Sequence, residues 1–445
     1  MNARDAALSI LTAFDSTGKS LDGLIDHTFA AHHIDHRDRR FAYDVVYGVM
    51  RRRGTLDYVI ARFLDNNDAL KQPGLRNILR IGAYQILYMD RVPDHAAVNE
   101  AVNAAKSSRK LRYYAGLVNA LLRNIIKHRK QPIKPSPAMP LAGRLSLEHS
   151  HPSWLVERWL DRFGLGDTKK LLAFNNARPQ VHLRRRMRGV TRQQFEFDVR
   201  PICGNACGLL NLYYPLVKSL QPDQIAVLER GDCVIQSPSS GWVVAMLDIQ
   251  PGDRLLDLCS APGGKSTLAA EFAGPEGRVC ACDISPDRLR RVTETIRRMK
   301  LRTVIPLAAD GRKPPFAGYF DKVLVDAPCS GTGVLHRHPE ARWNRTMDSI
   351  REQARLQGEL LDSAMQLLKP DGILVYATCS MEKEENEEVV EAFLSRHEEV
   401  SREKPPLLIP ANCSTNDGYL RITPWAHGFD GMFAARMKKS ARHAG

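Results

Sequence analysis

The chain lacks any apolar run long enough to cross a bilayer, and no basic leader with an apolar segment stands at its start. Those absences make neither an integral membrane protein nor a secreted one the expectation. No membrane partner is expected, and the cytoplasm is the expected location. Nine cysteines at irregular spacing among 445 residues make no disulfide framework. Cys203 and Cys207 alone suggest half a metal site, and no second His/Cys pair follows at finger spacing, so no metal is expected. Repeats and low-complexity tracts are missing too, and the length then implies two or three globular domains.

Acidic residues are scarce where basic ones cluster. The formal net charge is +14, from 64 Lys and Arg against 50 Asp and Glu. Residues 101–130 hold eight basic side chains and no acid, while residues 178–200 hold seven arginines, including Arg184-Arg185-Arg186, against Glu196 and Asp198. Clustered arginines suit phosphate forks, so a nucleic acid is the expected partner and the three arginines are its expected contacts.

What is present falls into segments of different texture. Residues 1–130 read as amphipathic helices: FAYDVVYGVM, LRNILRIGAYQILYM and YYAGLVNALLRNII place apolar residues at three- and four-residue spacing. An all-α bundle follows. Four prolines in QPIKPSPAMPLAG mark residues 131–147 as a linker. Residues 148–233 open with a helix after His151-Pro152 and continue as short strands and turns. From 234 to 440 the short apolar runs DRLLDLC, GRVCACD, TVIPLAA, FDKVLVDAP and GILVYAT alternate with helical segments. Strand–helix–strand repetition predicts an α/β domain with a parallel, doubly wound sheet. HGFDGMFAARM reads as a last hairpin strand.

Ligands of such sheets bind at the carboxyl ends of the strands, where the motifs of this chain sit. The stretch Cys259-Ser260-Ala261-Pro262-Gly263-Gly264-Lys265-Ser266 follows the first strand and nearly matches a phosphate loop, but Cys259 stands where its first glycine belongs. Asp283 ends the second strand, the place of an acid that binds ribose hydroxyls. Asp310 follows the third, placed to meet an adenine amine. A nucleoside carrying an amino-acid tail, S-adenosylmethionine, is the expected cofactor. DAPCSGTG (326–333) and ATCSMEKEEN (377–386) then each put a cysteine, Cys329 and Cys379, directly after a buried strand. Carbon 5 of a pyrimidine is too weak a nucleophile to attack a sulfonium. A thiolate adding at carbon 6 creates a carbanion at carbon 5 that can take the methyl group, and spacing does not choose which thiol attacks. Glu382, Glu384 and Glu385 read as acids opening a helix.

LLDLCSAPGGKS, VDAPCSGTGVLHRHPEARW and LVYATCS followed by EENE resemble the RsmB/Sun (NOL1/NOP2/Sun) family of RNA cytosine-C5 methyltransferases. RFAYDVVYGVMRR and LRIGAYQILYMDRVPDHAAVNEAV are similar to the NusB-like RNA-binding domain attached to the bacterial 16S ribosomal RNA enzyme, and HPSW and NNARP match its intermediate region. The resemblance spans nearly the whole chain. It implies a NusB-like bundle, an intermediate RNA-binding region and a Rossmann-like catalytic domain using S-adenosylmethionine. It further implies Cys379 as nucleophile, Cys329 as the residue assisting product release, and Asp326 on the cytosine edge and the cofactor side. Cys259 through Lys265, Asp283 and Asp310 would hold the cofactor. Arg337, within His336-Arg337-His338, is expected to touch RNA phosphate. Gln236-Ser237 stands where the family has Gln-Asp, and CSAPGGKS where CAAPGGKT is commoner. The expected activity is cytosine-C5 methylation of small-subunit ribosomal RNA by a monomer. The alternatives are a tRNA cytosine-C5 methyltransferase and a NusB-like binding factor with an inactive methyltransferase fold.

Overall fold

The computed structural model describes residues 1–64, 70–130, 135–218, 220, 224–316 and 318–441. The chain forms two compact units, residues 1–178 with 335–344, and residues 179–334 with 345–445.

The first unit is helical. α1 (Ala3–Thr17), α2 (Leu21–Ala31), α3 (His36–Ala61), α4 (Pro73–Tyr88), α5 (Asp94–Ser107) and α6 (Ala115–His128) bury their periodic apolar faces in one core. α1 shows why: Ala3, Ala6, Ala7, Ile10, Leu11 and Phe14 share one stripe, and the Asn2 side chain accepts the N–H groups of Arg4 and Asp5. The Arg80 side chain is almost fully buried on α4 and is neutralised by Asp57 at 2.7 Å and Asp15 at 3.4 Å.

The expected linker is helical from Leu141 to His149 (α7), and residues 131–134 lie outside the described residues. α8 (Ser153–Asn176) follows, broken at Gly164, where φ is 73°. Hydrogen bonds tie α7 to α3: Thr55 Oγ1 donates to Leu147 O at 2.7 Å, and Gly54 N to Ser150 Oγ at 2.9 Å. The intermediate region expected at 148–233 is therefore divided, its first helix packing with the bundle and the rest with the second unit.

Residues 335–344 also belong to the helical unit. Arg342 is fully buried, and its guanidinium donates to Ser150 O, Asn175 O and Asn176 Oδ1 at 3.0–3.1 Å. Burial pulls its pKa well down, and carbonyls rather than a carboxylate receive its protons. Trp343 Nε1 donates to Met50 O at 3.0 Å.

The second unit begins with β1 (His182–Arg185), α9 (Arg192–Val199), β2 (Tyr213–Pro215), α10 (Ala226–Glu229) and β3 (Cys233–Ile235). The strands make a small antiparallel sheet in the order β2-β1-β3. There follow α11 (Pro238–Ala245), β4 (Arg254–Asp257), α12 (Gly264–Ala273), β5 (Arg278–Asp283), α13 (Pro286–Met299), β6 (Val304–Ala308) and β7 (Phe320–Asp326). After α14 (Ala341–Asn344), which lies in the helical unit, come α15 (Met347–Leu367), β8 (Leu368–Thr378), α16 (Glu387–Leu394), β9 (Val400–Glu403), β10 (Leu420–Ile422), α17 (Pro424–His427) and β11 (Met432–Lys439).

All five strands expected from the apolar runs are present, as β4 to β8. They are mutually parallel in the order β8-β7-β4-β5-β6, but the sheet is mixed rather than wholly parallel. β11 lies antiparallel beside β8, with Phe433 opposite Thr378, and β9 and β10 pair antiparallel with β11. Two apolar clusters, one containing Leu324, Val375 and Ala377 and the other Val323, Val325, Leu374 and Tyr376, line alternate positions of the same strands. A sheet buried on both faces needs continuous apolar strands, which the sequence has.

Candidate active site

Asp257, Asp283, Asp326 and Thr378 close β4, β5, β7 and β8 at one edge of the sheet, and the loops beyond them form the site. The loop from Cys259 to Gly263 runs into α12. Gly263 has φ 100°, a conformation side chains rarely adopt, and a side chain there would press on Val292 at 3.1 Å. Asp283 is buried and braces this loop: Oδ2 accepts from Ala261 N at 3.1 Å and Oδ1 from Ser285 N at 3.0 Å. The cap of α13 is Ser285, not Asp283.

Four buried polar atoms around the loop have no hydrogen-bond partner among the described residues: Asp257 Oδ1, Ser260 Oγ, Gln236 Nε2 and Ser237 Oγ. Gln236 accepts from the Tyr213 hydroxyl at 3.2 Å and lies against Gly264, its Nε2 3.0 Å from where a side chain at 264 would begin. The other Asp257 oxygen accepts from Ser266 Oγ at 2.6 Å, and burial pushes the carboxyl up to about 7. Asp310, beyond β6, grips Arg312 through both oxygens, and those hydrogen bonds hold its pKa down.

Lys265 reaches from the first turn of α12 to Asp326, Nζ to Oδ2 2.6 Å. Burial alone would lower the ammonium pKa, but the Asp326 charge and hydrogen bond outweigh it and the net shift is upward. Cys329 and Cys379 lie half-buried with their sulfurs 3.3 Å apart. The hydrogen bond between the two sulfurs lowers the Cys379 pKa against burial and nearby carboxylates, with Lys265 adding to the lowering. The same bond, with burial, drives the Cys329 thiol well up. Of the two thiols Cys379 is therefore the easier to ionise and Cys329 the harder, an asymmetry that spacing alone left open.

The two cysteine loops are sewn together. Gly333 N donates to Cys379 O at 2.9 Å, Met381 N to Thr332 Oγ1 at 2.8 Å, and Gly431 N to Gly333 O at 2.9 Å. No side chain fits at 333, since a Cβ there would meet Gly431 O at 2.7 Å and Cys379 O at 2.8 Å. Glu385, expected among acids opening a helix, is instead buried in a turn ahead of α16 and accepts from Ser330 and Ser380. The missed signal was an acid six residues past Cys379 and still before the helix.

The arginine run needs correcting. Arg184 is fully buried in β1 and pairs with buried Glu271 of α12 at 2.5 Å, with Thr267 at 3.0 Å, so it does not reach RNA. Arg185 donates to Arg186 O and Val190 O. Arg186 and Arg337 are half-buried and Arg188 is exposed, while His336, beside Arg337, is buried against Phe174.

Comparison with known proteins agrees with this geometry. Residues 244–438 match the 16S rRNA methyltransferase RsmB/F family, and residues 1–127 match the NusB family. Relatives over the full length include a probable ribosomal RNA small subunit methyltransferase B of Synechocystis, 33% identical with 99% of this chain and 100% of that protein covered. The chain belongs to the RsmB/F family of 16S rRNA methyltransferases. Ribosomal RNA small subunit methyltransferase B of Cronobacter sakazakii is 32% identical, with 99% of each chain covered. The crystal structure of PH0851 superimposes with a TM-score of 0.82 at 28% identity, covering 98% of both chains. Within this family the helical unit corresponds to a NusB region and the mixed sheet to the methyltransferase domain. Among the described residues no cluster of His, Cys, Asp and Glu could hold a metal, and no helix is long and apolar enough to cross a membrane.

Proposed function

We propose that this chain methylates carbon 5 of a cytosine in small-subunit ribosomal RNA, through a covalent bond between Cys379 and carbon 6. The observation that carries the reading is the thiol pair 3.3 Å apart, at the ends of adjacent parallel strands, with Lys265–Asp326 beside it.

S-adenosylmethionine suits the glycine loop. Its methionine end carries donors and acceptors, and the unpartnered Asp257 Oδ1, Ser260 Oγ, Ser237 Oγ and Gln236 Nε2 offer both kinds. Asp283 keeps spare lone pairs for ribose hydroxyls after binding two backbone amides. Arg312 would have to release Asp310 for an adenine contact. When bound, the cofactor supplies an electrophilic methyl group.

The Cys379 thiolate adds its electron pair to carbon 6, and the carbon 6–carbon 5 π electrons move toward carbon 5. Asp326, at the ring edge, accepts from the amino group and passes a proton to N3, which offsets the negative charge that develops there. As carbon 5 takes the methyl group the sulfur–methyl bond would break, its electron pair staying on the departing thioether. A base then removes the carbon 5 proton, and the double bond re-forms. The Cys379–carbon 6 bond breaks with the pair returning to sulfur, and N3 gives its proton back to Asp326. Cys329, protonated and in contact with that sulfur, assists this last step.

Labelled methyl transfer to small-subunit ribosomal RNA, followed by bisulfite sequencing, tests the reading. 5-Methylcytosine at one position is expected; methylation of transfer RNA alone, or of no RNA, overturns it. Asp283→Ala should weaken S-adenosylmethionine binding in calorimetry by about 1.5–3 kcal/mol, the scale of hydrogen bonds involving a charged group. Magnesium-dependent ATP binding in its place would overturn the cofactor assignment. For RNA affinity, Arg188→Gln with Arg337→Gln should flatten the salt slope by about 1.4, at about 0.7 per charge on a single strand. An unchanged slope means that neither side chain meets phosphate.

A further inference from the structure

Methyl transfer by two thiols needs both sulfurs at one carbon centre, and short loops do not hold such a distance unaided. We propose that Glu385 is the positioning residue that sets the spacing of Cys329 and Cys379. Among the described residues its carboxylate is the one side chain that binds the residue after each cysteine. This deepens the two-thiol reading above and rests on it.

Glu385 Oε1 accepts from Ser330 N at 2.7 Å and from Gln357 Nε2 at 3.3 Å. Oε2 accepts from Ser380 Oγ at 2.5 Å and from Ser330 Oγ. The two hydroxyls also touch each other at 3.0 Å. Gln357 on α15 donates to Pro328 O at 2.9 Å, so Cys329 is gripped on both sides, through Pro328 and through Ser330. Cys379 is gripped likewise: Ser380 binds Glu385, and Asn386 Nδ2 donates to Ser380 O at 2.9 Å.

The carboxylate is fully buried, and burial raises its pKa. Hydroxyls and amides receive its charge, and among the described residues no Lys or Arg pairs with it. A bare buried carboxylate is costly, so purely structural needs would be met better by a neutral side chain. Only a carboxylate offers two oxygens with enough lone pairs to take donors from both loops at once.

Glu385→Gln tests this, because an amide has the same shape but turns a donor toward Ser330 N–H or toward the serines. Expected is a fall in kcat of about 10²-fold, the cost of misplacing a reacting group by about 1 Å, with KM for RNA and for S-adenosylmethionine unchanged. Glu388→Gln, at an exposed position in α16, should leave kcat as it was. A second reading follows the thiols without RNA or cofactor. Oxidised glutathione should close a Cys329–Cys379 disulfide in the wild-type chain, two protein thiols being oxidised as one glutathione disulfide becomes two thiols. Closure should be much slower in Glu385→Gln.

Unchanged kcat in Glu385→Gln overturns the proposal, and so does reduced kcat with unchanged closure rate. If Glu385→Gln does not fold, Ser380→Ala removes one grip on the same carboxylate and is read in both assays, with the same two overturning results. A wild-type chain that closes the disulfide in a Glu385-dependent manner yet methylates no cytosine would sink the proposed reaction and leave the positioning intact.

Discussion

Cys379→Ser is expected to abolish methyl transfer and to form no covalent RNA adduct, with kcat falling on the order of 10⁶-fold, the loss that follows removal of an enzyme's nucleophile. A serine hydroxyl is far less acidic than a thiol, so no population of oxyanion replaces the thiolate that Lys265 and the Cys329 hydrogen bond favour. Cys329→Ala should fail on the other side of the same intermediate. Attack at carbon 6 continues, release slows, and a protein–RNA complex survives denaturant as a shifted band. The pH dependence follows from the same asymmetry. Cys379 must be deprotonated to act and its pKa is lowered, so activity should hold to a lower pH than an ordinary thiol allows. Lys265→Met removes a lowering charge and should move that acid limb upward. A trapped complex with Cys379→Ser and none with Cys329→Ala would exchange the two roles.

Arg184→Met is expected to destabilise the second unit by about 3–5 kcal/mol, the cost of breaking a buried ion pair from one side. Glu271 is 3% exposed; without Arg184 its charge would keep, among the described residues, only the Met187 N–H at 2.6 Å. Urea titration followed through the buried Trp242 reads the loss as a fall in midpoint at constant slope. Arg184→Met with Glu271→Leu should recover most of it, since the uncompensated charge goes with its partner. RNA affinity measured below the unfolding range should not change in the single variant. Loss of RNA affinity with stability intact would return Arg184 to the nucleic-acid surface.

These two tests fall on opposite sides of what could be read from the residues. The helices of the first unit, the five strands β4 to β8 and the position of each motif at a strand end were legible. They depend on local periodicity: apolar residues at helical spacing, or in short continuous runs, can bury themselves in few ways. HGFDGMFAARM was legible as a strand, but its direction beside β8 was not, because pairing is decided by non-local contacts. The proline-rich segment read as linker although α7 begins inside it, since Pro140 stands just ahead of the helix and does not interrupt it.

The arginine run shows the limit most clearly. Arg184, Arg185 and Arg186 are alike as sequence, yet strand geometry turns Arg184 inward to a carboxylate 87 residues away on α12, and only the packed structure reveals that carboxylate. Glu385 is the same case at the site. Its place among neighbouring acids suggested a helix start, while its work, binding the two cysteine loops, depends on partners that the fold brings together from 50 and more residues apart. Residue type and spacing were enough to name the chemistry, because thiols, glycines and carboxylates at strand ends are chemically distinctive wherever they occur. Which thiol is ionised, which charge is buried and which acid holds the loops are properties of distance and desolvation, and those exist only once the chain has packed.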